Sequence, residues 1–154
     1  MQTTKEAAAR LNELLTKSYD AEAGYQNAAE KVDDTQLKNY LNARAEQRNN
    51  FGHQLKSEIT SLGFEPDKGT SSLGDLHRTW MNLRDALSGS NEALFEECIR
   101  GEEASVNEYK EVLKETSYPE NVRMVLVEQQ TSIEASLQQA RQLENYAGKT
   151  PADS

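Results

Sequence analysis

Each of the four long helices that the apolar spacing predicts carries a polar residue on its inward face, near mid-helix. These residues are Glu22, Arg48, Glu102 and Gln129, and Arg44 lies one turn before Arg48. Buried charges are tolerated when paired, and a guanidinium can bind a carboxylate through two hydrogen bonds. We therefore predict a central polar layer with Arg48 between Glu22 and Glu102. The layer either fixes helix register or forms a ligand site; alternatively, some of these side chains reach solvent.

Two acids at the middle of a helical bundle also raise the question of a di-metal centre. Such centres take a Glu from each of two helices and a Glu-x-x-His motif from each of the other two. The chain has two histidines, and the residues three positions after Glu46 and Glu128 are Asn49 and Thr131. The sequence therefore predicts no metal and no cofactor. A site built from carboxylates alone remains the alternative.

Packing is the simplest interpretation of the other reactive side chains. His77, Arg78 and Trp80 lie on a short helix between the second and third long helices, where Trp80 would anchor that segment to the bundle. A partner-binding or ligand-lining patch is the alternative there. His53 is expected at the boundary or surface of the second helix. Cys98 lies on a core face, where burial raises the pKa of a thiol and makes it inert.

The helices that position these residues are predicted from apolar residues spaced three and four apart. Four long stripes run over residues 11–32, 37–62, 94–113 and 122–147, and a short one over 73–87. Links of only about 2–4 residues make the first two helices an antiparallel hairpin, and likewise the last two. The segment of roughly 25–30 residues between the hairpins can return along the bundle. The pattern predicts an all-α, ferritin-like four-helix bundle with a long crossover; an irregular array of five helices is the alternative.

Length and composition limit the functions open to the chain. It has 154 residues and a formal net charge of −9. We expect one domain over residues 1–148 and a disordered tail at 149–154. The acidic charge disfavours nucleic acid and anionic membranes, and no apolar run approaches the ~18 residues of a membrane span. A single cysteine and the lack of a signal-like stretch favour the cytoplasm, and the common nucleotide-binding and hydrolase motifs are absent.

Several segments between about residues 10 and 146 resemble one known family, most specifically Leu76-His77-Arg78 with Trp80, and Arg100-Gly101-Glu102. The family consists of small bacterial four-helix-bundle proteins of unknown function in the ferritin-like superfamily. The resemblance implies the fold and implies no activity. Many members carry a histidine late in the fourth helix, where this chain has Ser136. That difference would place the chain further from metal binding than its relatives.

These observations favour a non-enzymatic cytoplasmic bundle with a stress-associated or protein-interaction role. A homo-oligomer or a protein partner is compatible with this interpretation, and the sequence identifies neither. One alternative is a divergent di-metal protein that holds iron or manganese through carboxylates alone. Such a protein would either bind the metal or act as an oxidoreductase. Another is a small-molecule binder built on the central polar layer. An uninterrupted cavity beside that layer would favour the last alternative.

Overall fold

The computed structural model describes residues 4–69, 89–115 and 117–149. These residues form four α-helices and contain no strand: α1 (Thr4–Lys31), α2 (Thr35–Ser61), α3 (Asn91–Glu115) and α4 (Glu120–Lys149). The predicted all-α class is confirmed. The predicted short helix, with His77, Arg78 and Trp80, lies outside the described residues, as do residues 150–154 of the predicted tail.

Polar side chains and one glycine set the ends of the helices. The Asp34 carboxylate accepts a hydrogen bond from the Leu37 backbone N–H at 3.1 Å and begins α2. The Ser90 hydroxyl accepts in the same way from Ala93 at 3.0 Å and begins α3. Gly63 follows α2 with φ +89°, the left-handed backbone conformation that glycine adopts without strain.

Side-chain hydrogen bonds between helices establish their relative directions. Along α1 and α3, early residues of one helix bond to later residues of the other, as in the pairs Arg10–Glu115 and Tyr25–Glu102. The same is true of α2 and α4, where the pairs are Tyr40–Ser136 and Asn121–Glu58. Both pairs are therefore antiparallel. A link of only three residues joins α1 to α2, so these helices are antiparallel as well. It follows that α2 and α3 run in the same direction, as the linker lengths predicted.

The buried apolar side chains form two clusters, one toward each end of the bundle. In the first, the rings of Tyr40 and Phe95 pack with their centroids 5.4 Å apart. The second is built around Leu11, Leu55 and Leu126. Along α2 and α3, the residues that fall between the two clusters include Arg48 and Glu102. The apolar packing thus holds these two charged side chains in a fixed position away from solvent.

Candidate functional site: a buried ion pair and an adjoining cleft

Arg48 of α2 and Glu102 of α3 form an ion pair inside the bundle. Arg48 Nη2 donates to Glu102 Oε1 at 2.8 Å, and the two side chains are only 4% and 1% exposed. The Tyr25 hydroxyl of α1 donates to the same carboxylate oxygen. Arg48 Nη1 donates to Gln47 Oε1 at 2.7 Å. Three helices therefore meet at one carboxylate, which fixes their relative register.

The surroundings of the pair favour a charged arginine and a neutral phenol. Burial lowers the pKa of Arg48, but Glu102, Tyr25 and Tyr109 together raise it by more, so the guanidinium stays protonated. The pKa of Tyr25 lies well above its ordinary value, mainly through burial and further through the Glu102 charge. The guanidinium also lies 5.8 Å from the ring centroids of Tyr25 and Phe51.

The second carboxylate oxygen of Glu102 has no hydrogen-bond partner among the residues that the structure describes. Glu102 Oε2 is buried, while Oε1 accepts from both Arg48 and Tyr25. A buried acceptor left unpaired costs about 1–3 kcal/mol, and such atoms are uncommon in folded proteins. An acceptor of this kind marks a position where a donor from outside the chain could bind.

A cleft of about 610 Å³ lies between α1 and α3 and reaches this ion pair. Tyr25, Arg48 and Glu102 line its buried part, and its exposed rim includes the ion pair between Lys17 and Glu108. The small residues Gly101, Ala104 and Ser105 form its α3 side. A Cβ added at Gly101 would meet no atom of the described residues within 4 Å, so the absence of a side chain there contributes to the open space.

Glu22 does not join the ion pair. The prediction that Arg48 lies between Glu22 and Glu102 was therefore wrong for Glu22. Glu22 is half-buried and accepts a hydrogen bond from Asn49 Nδ2 at 3.1 Å. Its place beside Glu102 is taken by Tyr25, three residues further along α1. Both residues belong to the stripe that the spacing identified, but the longer tyrosine reaches the bundle centre.

Arg44 lies in a polar group that Gln47 joins to the ion pair, and Gln129 lies in another group. Arg44 donates to the Ser136 hydroxyl, which also accepts from Gln47 at 3.0 Å. Gln129 is 1% exposed, accepts from the Tyr109 hydroxyl at 2.7 Å and donates to Gln54 at 2.9 Å. Gln129 is seven residues before Ser136, or about two turns of α4. The predicted layer is therefore divided among the described residues: Arg44 is linked to the ion pair through Ser136 and Gln47, whereas Gln129 belongs to a separate group.

Cys98 is buried, and burial raises the pKa of its thiol far above the ordinary value, with a further contribution from Glu102. Because the thiolate is the nucleophile, we expect the folded protein at pH 8 to react with a disulfide reagent at least about 100-fold more slowly than the urea-unfolded chain. The unfolded chain, with its single cysteine, should release one equivalent of the reagent's thiol and serves as the control. Rapid release of a full equivalent from the folded protein would contradict this description of Cys98.

A cluster of metal ligands or a membrane-spanning helix would indicate a function directly. No group of three or more His, Cys, Asp or Glu side chains that could hold a metal ion occurs within residues 4–69, 89–115 and 117–149. Over those ranges, no helix is long and apolar enough to cross a membrane.

The fold and the site together define an all-α bundle protein with a buried arginine–glutamate pair at its centre. The family described as a domain of unknown function, DUF2383, matches residues 6–115, which include α3 to its end. The chain belongs to this family. No curated protein shows significant similarity to the chain. The expectation of a family without an assigned activity is thereby confirmed.

Proposed function

We propose that this chain is a non-enzymatic, cytoplasmic, ferritin-like bundle that acts by binding another molecule. The parallel direction of α2 and α3 supports the ferritin-like assignment, because two antiparallel hairpins joined in that way are typical of such bundles. In metal-binding members of that architecture, inward carboxylates from facing helices hold two metal ions. Here the inward carboxylate of α3, Glu102, is engaged by a side chain of the protein itself.

The Arg48–Glu102 ion pair is the observation that carries this proposal. A guanidinium 2.8 Å from the carboxylate supplies the positive charge that a metal ion would otherwise contribute. A divalent metal ion about 4 Å from the guanidinium would be repelled by roughly 8 kcal/mol at an effective dielectric constant of 20, about twice the repulsion of a monovalent cation. The pair therefore disfavours a metal ion at Glu102 and with it di-metal redox chemistry.

Elemental analysis tests the proposal. We expect protein purified without chelators, after growth with iron and manganese, to hold well under one equivalent of either metal per chain. Glu102→Gln should leave this content unchanged, as should Glu111→Gln, a matched change at an exposed position of the same helix. Stoichiometric metal that Glu102→Gln removes and Glu111→Gln retains would overturn the proposal. A carboxylate-only metal protein would then be the better interpretation.

Among binding functions, the cleft favours a small molecule over a protein partner. It is continuous with the buried ion pair, and one of its lining residues, Glu102, carries an acceptor that has no partner among the described residues. Ligand pockets commonly have volumes of about 300–1,000 Å³ and combine apolar walls with a few polar groups. The cleft fits this description in both respects.

A further inference from the structure

We propose that the cleft between α1 and α3 binds a small organic cation, a protonated amine with an apolar body, through Glu102 Oε2. This inference rests on the proposed function, since it names the chemical class of molecule that the bundle would bind. It depends on three independent features of the described residues: an unpaired buried acceptor, the sign of the charge around the cleft, and the nature of its wall.

The acceptor defines the head group of the ligand. Glu102 is 1% exposed, and its Oε2 atom accepts no hydrogen bond although Oε1 accepts two. A ligand at this oxygen must donate an N–H or O–H hydrogen bond. An ammonium group has three donors and no acceptor, so it leaves no unpaired acceptor of its own against the buried carboxylate. An anionic head group would be repelled at the same position.

The charge of the lining selects a cation. Within the part of the chain that the structure describes, five carboxylate side chains and two cationic ones line the cleft, a net charge of −3: Glu13, Asp20, Asp67, Glu102 and Glu108 against Lys17 and Arg48. The whole chain has the same sign, with a formal charge of −9. A surface depression lined by one sign of charge raises the local concentration of ligands of the opposite sign.

The wall selects an organic body over a bare metal ion. Most of the accessible wall is apolar and includes Ala21, Ala104 and the open side of Gly101. A metal ion needs several ligating groups around it, and no such group of three occurs in the part of the chain that the structure describes. An alkyl or aryl chain attached to the ammonium would bury its carbon surface against this wall.

Three probes of equal length test the inference at pH 7 by isothermal titration calorimetry: hexylamine, 1-hexanol and hexanoate. We expect hexylamine to bind at one site per chain with a dissociation constant below about 1 mM. Hexanol and hexanoate should bind at least about tenfold more weakly, a difference of about 1.4 kcal/mol or more. Chemical shift changes on adding hexylamine should be confined to residues around the cleft, on α1 and α3 together with Arg48 and Asp67.

Variants at Gly101 locate the site without disturbing the ion pair. Gly101→Leu places a side chain in the open space and should weaken hexylamine binding at least about tenfold while the helical circular dichroism is retained. Gly101→Ala adds only one methyl group and should bind within about twofold of the parent. Glu102→Gln should abolish binding and Glu111→Gln should not. If Glu102→Gln fails to fold, the comparison of Gly101→Leu with Gly101→Ala still tests whether hexylamine binds in the cleft.

Undetectable hexylamine binding, equal binding of the three probes, or unchanged binding by Gly101→Leu would each overturn the inference. These failures are distinct from failure of the proposed function. A protein that binds no hexylamine and holds no metal contradicts only the choice of ligand. A protein that holds stoichiometric metal at Glu102 contradicts the proposed function whatever the amine does.

Discussion

Arg48→Met destabilises the protein by about 3–5 kcal/mol, because it leaves Glu102 charged and buried without its counter-ion. The loss should appear in urea denaturation at pH 7 as a lower midpoint with an unchanged slope. Arg141→Met provides the matched control. Arg141 pairs with Glu103 at 3.0 Å, but these side chains are 44% and 50% exposed, so its loss should cost only about 0–1 kcal/mol.

Removing the whole polar group should cost much less than removing Arg48 alone. In the triple variant Tyr25→Phe, Arg48→Met, Glu102→Leu, no buried charge is left unpaired and no phenol loses its acceptor. Replacing a buried ion pair by apolar residues of similar volume is often neutral or even stabilising. The cost of the triple change therefore differs from the sum of the costs of the three single changes, because the three side chains bond to one another. If Arg48→Met and the triple variant were equally destabilised, or if neither differed from the parent, the ion pair would not be the organising element of the centre.

Alkaline pH unfolds the protein steeply above about pH 10, the ordinary pKa of tyrosine. The pKa values of Tyr25, Tyr40 and Tyr109 are all raised, chiefly by burial. Above pH 10 the unfolded chain loses protons that the folded chain retains, so the free energy of unfolding falls as pH rises. Each phenol contributes up to about 1.4 kcal/mol per pH unit, and three contribute about 4. Below about pH 9 these groups should leave stability unchanged.

A pH series of urea denaturations measures this loss, and Tyr109→Phe is its control. The variant should lose stability above pH 10 less steeply than the parent, by about 1.4 kcal/mol per pH unit. Phenolate absorbance from the three buried tyrosines should appear only as the helical signal disappears. Normal titration of all six tyrosines near pH 10 in the folded chain would contradict the burial described for them.

The helices and the pairing directions could be predicted because they depend on features that are local in sequence. Apolar spacing of three and four marks a helix face, and Asp34, Gly63 and Ser90 act on the backbone of their own turns. The short links then limit which helices can be antiparallel neighbours. Arg48 and Glu102 could be identified for the same reason, since each is a charged residue on an otherwise apolar stripe.

The contacts at the centre could not be predicted, because they depend on helix rotation and on side-chain length. Glu22 and Tyr25 share a stripe, and a small rotation of α1 decides which of them reaches Glu102. The axial positions of the four helices decide that Gln129 meets Tyr109 and not Arg48. The cleft arises where Gly101, Ala104 and Ser105 face α1, and no periodicity in the sequence distinguishes that face from an ordinary solvent-exposed one.

Nitrogen-15 NMR of the arginine side chains reports whether Glu102 holds Arg48 inside the bundle. The Nη signals of Arg48 can be assigned by their loss in Arg48→Lys. We expect them at separate shifts, with hydrogen exchange at least about 100-fold slower than for Arg141, because Nη1 and Nη2 both donate in a buried site. Averaged Nη signals that exchange as fast as those of Arg141 would show that the Arg48 guanidinium is solvated and that the buried ion pair does not form.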